Sequence, residues 1–276
     1  MAGSLGLSRV LKDRRWEDYK SLKQAKSHHQ IVEFIISGRQ LTTNAAAELD
    51  FTVGDTINYI AAEAQAYIRT EADDGNQDSK YVYIRYCSED GTISDWCTAD
   101  LAAPDNTVEV AIGSTDFFRL REMYCEVVSA TGGGKAVLLT DSNMGGADDI
   151  FGFIDDDHSQ AAISRYFVPI ATQVPHTYLG RITVQSPNLL EGDATAGGML
   201  LTINYTPKVL NGGEAQVAAE HIDVVSWMED KLVYEPLYEL EPATDVTIKI
   251  HKLVNADHVV VHIEAIFLED YSGSKK

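Results

Sequence analysis

The chain has 276 residues, is 45% hydrophobic and carries a formal net charge of −20. That length buries a substantial core, in one large or two ordinary domains. No apolar run approaches the ~20 residues of a membrane-spanning helix, and so acidic a body repels nucleic acid and anionic membrane.

The charge is uneven. Residues 1–30 hold seven bases (Arg9, Lys12, Arg14, Arg15, Lys20, Lys23, Lys26) against three acids (Asp13, Glu17, Asp18), a net +4, which leaves −24 on the remainder. A basic arm on an acidic body can meet nucleic acid, an anionic membrane or an acidic surface of a neighbour. Ser8 is placed to cap a helix running to about Lys26. Leu11, Tyr19 and Leu22, with Trp16 nearby, give it only a narrow apolar stripe, so it reads as an arm rather than a docked helix. Charge from Arg9 to Lys26, where an apolar core would lie, argues against a secretory signal peptide. Folding inside a cell is the expectation. It agrees with three cysteines (Cys87, Cys97 and Cys125) read as reduced.

From Gln30 the pattern turns to short strands. Ile31–Ile36 and Glu48–Val53 read as strands. Residues 55–70 are open: Ile57, Ile60, Ala61, Ala64, Tyr67 and Ile68 share a helical face, slightly favoured over a strand at Ala66–Thr70. Tyr81–Cys87, an Asp90-Gly91 turn and Thr92–Thr98 read as a hairpin rich in residues that strands favour. In that register Cys87 faces Ser94 and Cys97 faces Ile84, so no disulfide joins them. Thr107–Ile112 is a further strand. Thr115–Asp141 reads as a hairpin around Thr131-Gly132-Gly133-Gly134. Residues 141–158, rich in Gly and Asp, read as the boundary between two domains.

The second half repeats the style. Tyr166–Ile170, Tyr178–Gln185, Met199–Tyr205 and Lys231–Leu240 are expected strands bounded by Pro and Gly, with 214–228 open between helix and strand. The clearest stretch is Thr244–Asp270. Val246, Ile248 and Ile250 alternate with polar residues, and Val259, Val261, Ile263, Ala265 and Phe267 form a core face on a return strand. The other face, His258, Val260, His262, Glu264 and Ile266, is mixed, as for a surface meeting water or a neighbour. This stretch and Thr115–Asp141 both open with Thr-Asp and close on an apolar strand and an acid, 129 residues apart. That spacing hints at two β domains with similar endings.

The expected fold is therefore mainly β: an arm at 1–29, a first β domain at 30–145, an acidic Gly/Asp linker at 146–163 and a second β domain at 164–276. Short strands with Gly, Pro and Asp turns suit sandwich or jelly-roll domains.

Chemical motifs are sparse. His258, His262 and Glu264 share a strand face. His258 and His262 stand roughly 13 Å apart in a strand, too far for two ~2.1 Å bonds to one zinc. Asp141-Ser142-Asn143-Met144-Gly145 opens like a calcium loop, but Gly152 stands where an EF-hand needs Glu. Gly132-Gly133-Gly134-Lys135 lacks phosphate-loop spacing. No GxSxG, HExxH or CxxC occurs, and no local arrangement marks a catalytic triad, so no catalytic residue, metal site or cofactor is expected. Trp96, Tyr81, Tyr83 and Trp227 suit either a core or a sugar-stacking platform.

A two-part β body with a basic arm resembles the plan of virion structural proteins, in which jelly-roll or sandwich domains tile a shell and an arm ties subunits together. The resemblance implies a capsid, decoration or tail subunit, non-enzymatic and homo-oligomeric, located in the virion. A double jelly roll is the favoured form. Its partners would be itself, other virion proteins and the genome through the arm residues named above. A carbohydrate-binding β sandwich is the alternative class. A cupin-like metal enzyme is the third.

Overall fold

The computed structural model describes residues 31–41, 47–48, 57, 59–70, 81–101, 109–125, 135–141, 150–155, 161, 163, 165–185, 199–207, 218–224, 231–235, 238–252 and 260–271. The expected arm, the glycine turn at 131–134 and most of the calcium-like loop lie outside them. No helix occurs among the described residues, and the chain is mainly β, as its alternating pattern implies.

Among the described residues seventeen strands run in order. They are β1 (Ile31–Leu41), β2 (Ala47–Glu48), β3 (Ala64–Arg69), β4 (Tyr81–Cys87), β5 (Cys97–Asp100), β6 (Val110–Phe117), β7 (Arg119–Cys125), β8 (Lys135–Thr140) and β9 (Ile150–Asp155), then β10 (Tyr166–Phe167), β11 (His176–Gln185), β12 (Met199–Pro207), β13 (Ala218–Val224), β14 (Lys231–Tyr234), β15 (Tyr238–Leu240), β16 (Thr244–Lys252) and β17 (Val260–Asp270). The stretches that read as open between helix and strand hold strands β3 and β13 and no helix where described. In β3 the buried Ala66 and Ile68 alternate with half-exposed Gln65, Tyr67 and Arg69, a period of two that overrides the helical spacing of the longer window. Residues 218–224 form β13.

The chain divides into two compact units, one made of Met1–Leu49 with Val168–Lys276 and the other of Asp50–Phe167. The expected linker at 146–163 contains β9, which pairs with β8 and buries Phe151 and Ile154. The units part at 49/50 and 167/168 instead. Strand β1, expected within a domain spanning 30–145, pairs along its whole length with β17, from Ile31 opposite Asp270 to Leu41 opposite Val260.

In the unit Asp50–Phe167, one sheet runs β6-β3-β8-β9 and the other β5-β4-β7. Both contribute to a single core. Ala66, Ile68, Ile112, Phe117, Val137, Leu139, Phe151 and Ile154 come from the first, and Val82, Ile84, Tyr86, Ala99, Met123 and Cys125 from the second. In the other unit, β1-β17-β11-β14 form one sheet with β15 also on β11, and β16, β12 and β13 follow each other in a second, with β2 on β16.

Both expected long hairpins are overturned. Strand β17 lies between β1 and β11, while β16 lies in the other sheet against β12. Likewise β7 pairs with β4, while β8 lies between β3 and β9. Alternation reports which face of a strand is buried but not which strand it bonds. Two consecutive amphipathic strands satisfy the same pattern in separate sheets. The expected core face of β17 is buried at Ile263, Ala265 and Phe267, but so are Ile266 and Leu268 on the mixed face. Leu268 lies over Gly180, where an added Cβ would sit 2.9 Å from its Cγ.

Candidate functional site

The tight turn after β4 sets the geometry of the three-stranded sheet. Ser88 N–H donates to the Thr92 carbonyl at 2.9 Å, and Thr92 N–H donates to the Asp90 carboxylate at 2.8 Å. Gly91 supplies the left-handed residue at φ 88°. This is a three-residue connection with glycine at its left-handed position, one residue longer than the Asp90-Gly91 turn expected. Cys87 therefore bridges Ile93 rather than Ser94, while Ile84 stands opposite Cys97, as expected. None of Cys87, Cys97 and Cys125 is in a disulfide.

Strand β4 buries Val82, Ile84 and Tyr86 and turns Tyr81, Tyr83 and Arg85 outward. On β7 the outward residues are Glu122 and Tyr124. Register sets Tyr83 directly opposite Tyr124 and Arg85 opposite Glu122. The two tyrosine rings stack with centroids 4.6 Å apart and planes 10° apart. Trp96, in the segment leading to β5, meets Tyr124 edge-on at 5.2 Å. The Arg85 guanidinium lies 5.4 Å from the Trp96 ring centre and 3.9 Å from the Glu122 carboxylate. Tyr81, Trp96 and Tyr124 are 50%, 45% and 37% exposed.

One sheet face thus presents three exposed aromatic rings beside an ion pair. Cross-strand aromatic pairs stabilise a sheet by about 0.5–1.5 kcal/mol beyond burial, which accounts for the stacking of Tyr83 on Tyr124. It does not account for the exposure of Trp96 and Tyr81. Such rings can stack on the apolar face of a sugar or pack against protein, and Arg85 and Glu122 offer a donor and an acceptor beside them.

Behind this face a hydrogen-bond knot ties β4 to β6. The Tyr86 hydroxyl donates to Asp116 at 2.6 Å and accepts from the Ser114 backbone N–H at 3.2 Å. The Ser114 hydroxyl also bonds Asp116. Burial, then the bond to Asp116, raises the Tyr86 pKa above its ordinary 10.0. Burial pushes the Asp116 carboxyl upward, but the bonds from Ser114 and Tyr86 outweigh it and the pKa is lowered from 3.8. Burial raises the Cys97 thiol, with Asp116 and Asp95 adding to the effect and Ser94 opposing it. Gly113, at φ 73°, lies so close that an added Cβ would stand 2.8 Å from Tyr86 Cε1. The knot fixes β6 against Tyr86.

Of the aromatic residues singled out in the sequence, Tyr83 and Trp96 are brought to this face, Tyr81 shares its outward side, and Trp227 lies outside the described residues. Tyr124, Arg85 and Glu122 were not foreseen, because only the β4–β7 register places them there. The basic arm and His258 also lie outside the described residues. His262 stands opposite Arg39 on one side and Gln185 on the other, and Glu264 pairs with Arg181 at 3.6 Å. Among the described residues no group of three His, Cys, Asp or Glu side chains is arranged to hold a metal. No described helix is long and apolar enough to cross a membrane.

No protein-family model matches the chain, and no curated protein matches it. Among solved structures, one of infectious bursal virus-derived T=1 particles aligns over 88% of this chain and 78% of its own, with 7% identity and a TM-score of 0.13. At that score the alignment carries no argument about fold or function.

Proposed function

We propose that the protein is a non-catalytic structural subunit of a virus or phage particle, a capsid, decoration or tail component that works through contacts between β domains. The observation that carries the reading is that each unit leaves large apolar side chains in water. They are Val32, Ile35 and Val233 in one unit and Tyr81, Trp96 and Tyr124 in the other. Single exposed apolar residues need no explanation. Clustered aromatic ones mark surfaces that a partner covers, and a subunit that tiles a shell needs more than one such surface. On this reading the two-sheet units are sandwich or jelly-roll domains, a double jelly roll in the favoured form. The arm residues Arg9, Lys12, Arg14, Arg15, Lys20, Lys23 and Lys26 tie subunits to one another or to the genome. The partners are further copies and other virion proteins, and folding takes place in the host cytoplasm.

Light scattering on the full chain beside a chain lacking residues 1–28 tests this. Large assemblies that collapse without the arm are expected. Monodisperse monomers in both preparations would count against it and in favour of the second reading.

That second reading is a carbohydrate-binding module, favoured by the aromatic face with Arg85 and Glu122 at its side. It predicts saturable quenching of tryptophan fluorescence by an oligosaccharide, lost on Trp96→Ala while the fold persists.

A further inference from the structure

Strand β1 borders its sheet. Among the described residues its strand neighbour is β17, on one side only. It is eleven residues long, IVEFIISGRQL, without proline. Val32 and Ile35 on it are about half exposed. Border strands in proteins that stay apart are usually short, bulged or guarded by proline and lysine. Here the only charges are Glu33 and Arg39.

We infer that β1 pairs with β1 of a second copy, antiparallel, about a two-fold axis through Ile36. The inference rests on the structural-subunit reading and names its partner. Three features of the strand select this register. Centring on Ile36 overlaps all eleven residues, 31 against 41 through 41 against 31. It sets Glu33 of each copy opposite Arg39 of the other, two opposite-charge pairs at positions of one face. Centring on residue 33 or 39 instead sets like charge on like. It also sets Phe34 opposite Gly38, and an aromatic residue across from a border glycine is a known stabilising device. Ile31 then meets Leu41, and Ile36 meets itself. The sheet β14-β11-β17-β1 becomes continuous through both copies, with an interface of the self-complementary kind that two-fold symmetry requires.

The register is tested by charge exchange. In a self-pair, Glu33→Arg sets a base opposite Arg39 at both symmetric positions, and Arg39→Glu sets an acid opposite Glu33 at both. Each variant alone should self-associate about tenfold more weakly than the parent at low salt. An equimolar mixture of the two variants restores attraction at both pairs and should regain the parent's association in sedimentation velocity. A folding defect would not be repaired by mixing. Unchanged association of the single variants, or a mixture as weak as its components, overturns the register while an assembling parent leaves the subunit reading in place. A parent that stays monomeric throughout the concentration series removes both.

Discussion

Tyr86 shows how one side chain serves two structures. Its ring fills the core of the unit Asp50–Phe167 and packs on Phe117 at 5.4 Å, while its hydroxyl reaches Asp116 and Ser114. Tyr86→Phe keeps the ring and removes the donor to a carboxylate, so unfolding in denaturant should show a loss of about 1 kcal/mol at neutral pH. The pH dependence follows from the two shifts. Tyr86 has its folded pKa raised, so its contribution is complete below pH 10.0 and is lost as pH climbs through the folded value. Asp116 has its folded pKa lowered, so its contribution is complete above pH 3.8 and is lost as pH falls through the folded value. In Tyr86→Phe the alkaline loss due to this residue should vanish, and the acid loss due to Asp116 should shrink but persist through Ser114. At Gly113 a side chain meets both a left-handed φ and the Tyr86 ring. Gly113→Ala should cost about 1–3 kcal/mol, read as a lowered melting temperature.

At the scale of elements, β9 is the sharpest test. Its sequence, IFGFID, sits in a stretch rich in Gly and Asp that reads as a linker. Its Ile154 is fully buried, its Phe151 stacks on Phe117 at 5.3 Å, and Gly152 admits the Leu120 side chain. Ile154→Ala should destabilise by about 2–5 kcal/mol, as a core strand requires. A linker would lose almost nothing. Leu120 reaches this place because β7 bulges. Arg85 pairs with Glu122 but Tyr86 pairs with Leu120, so one extra residue shifts the pairing register there. No periodicity count reveals such a shift of register, which is why the pairing of Leu120 was not legible. In the upper half of β7 the buried Met123 and Cys125 alternate with the outward Glu122 and Tyr124.

For the whole molecule, the unit Asp50–Phe167 is inserted between two segments that together form the other unit. Strand β1 precedes the insertion and β17 ends the chain's described part, yet they pair over eleven residues. Residues 50–167 expressed alone should therefore fold cooperatively with a β circular-dichroism spectrum. Deleting residues 1–41 from the full chain should remove one unfolding transition and leave that of the inserted unit. Deleting only residues 1–28 should leave both. These outcomes separate the observed division from one at the Gly/Asp stretch, where residues 30–145 would fold alone instead.

By itself the sequence determined the class of structure and several strands. Alternation in Tyr81–Cys87, Tyr178–Gln185 and Thr244–Asp270 is local, because successive side chains of a strand point to opposite faces whatever the strand bonds to. It also determined the acidic body, the basic first thirty residues and the aromatic content of the first hairpin. Only the tertiary structure decided which strands share a sheet, that both expected long hairpins divide between two sheets, and that Tyr83, Tyr124, Trp96, Arg85 and Glu122 meet on one face. Those facts depend on hydrogen bonds between backbones far apart in the chain. Backbone donors and acceptors are nearly the same at every residue, so the pattern of side chains that marks a strand does not name its partner.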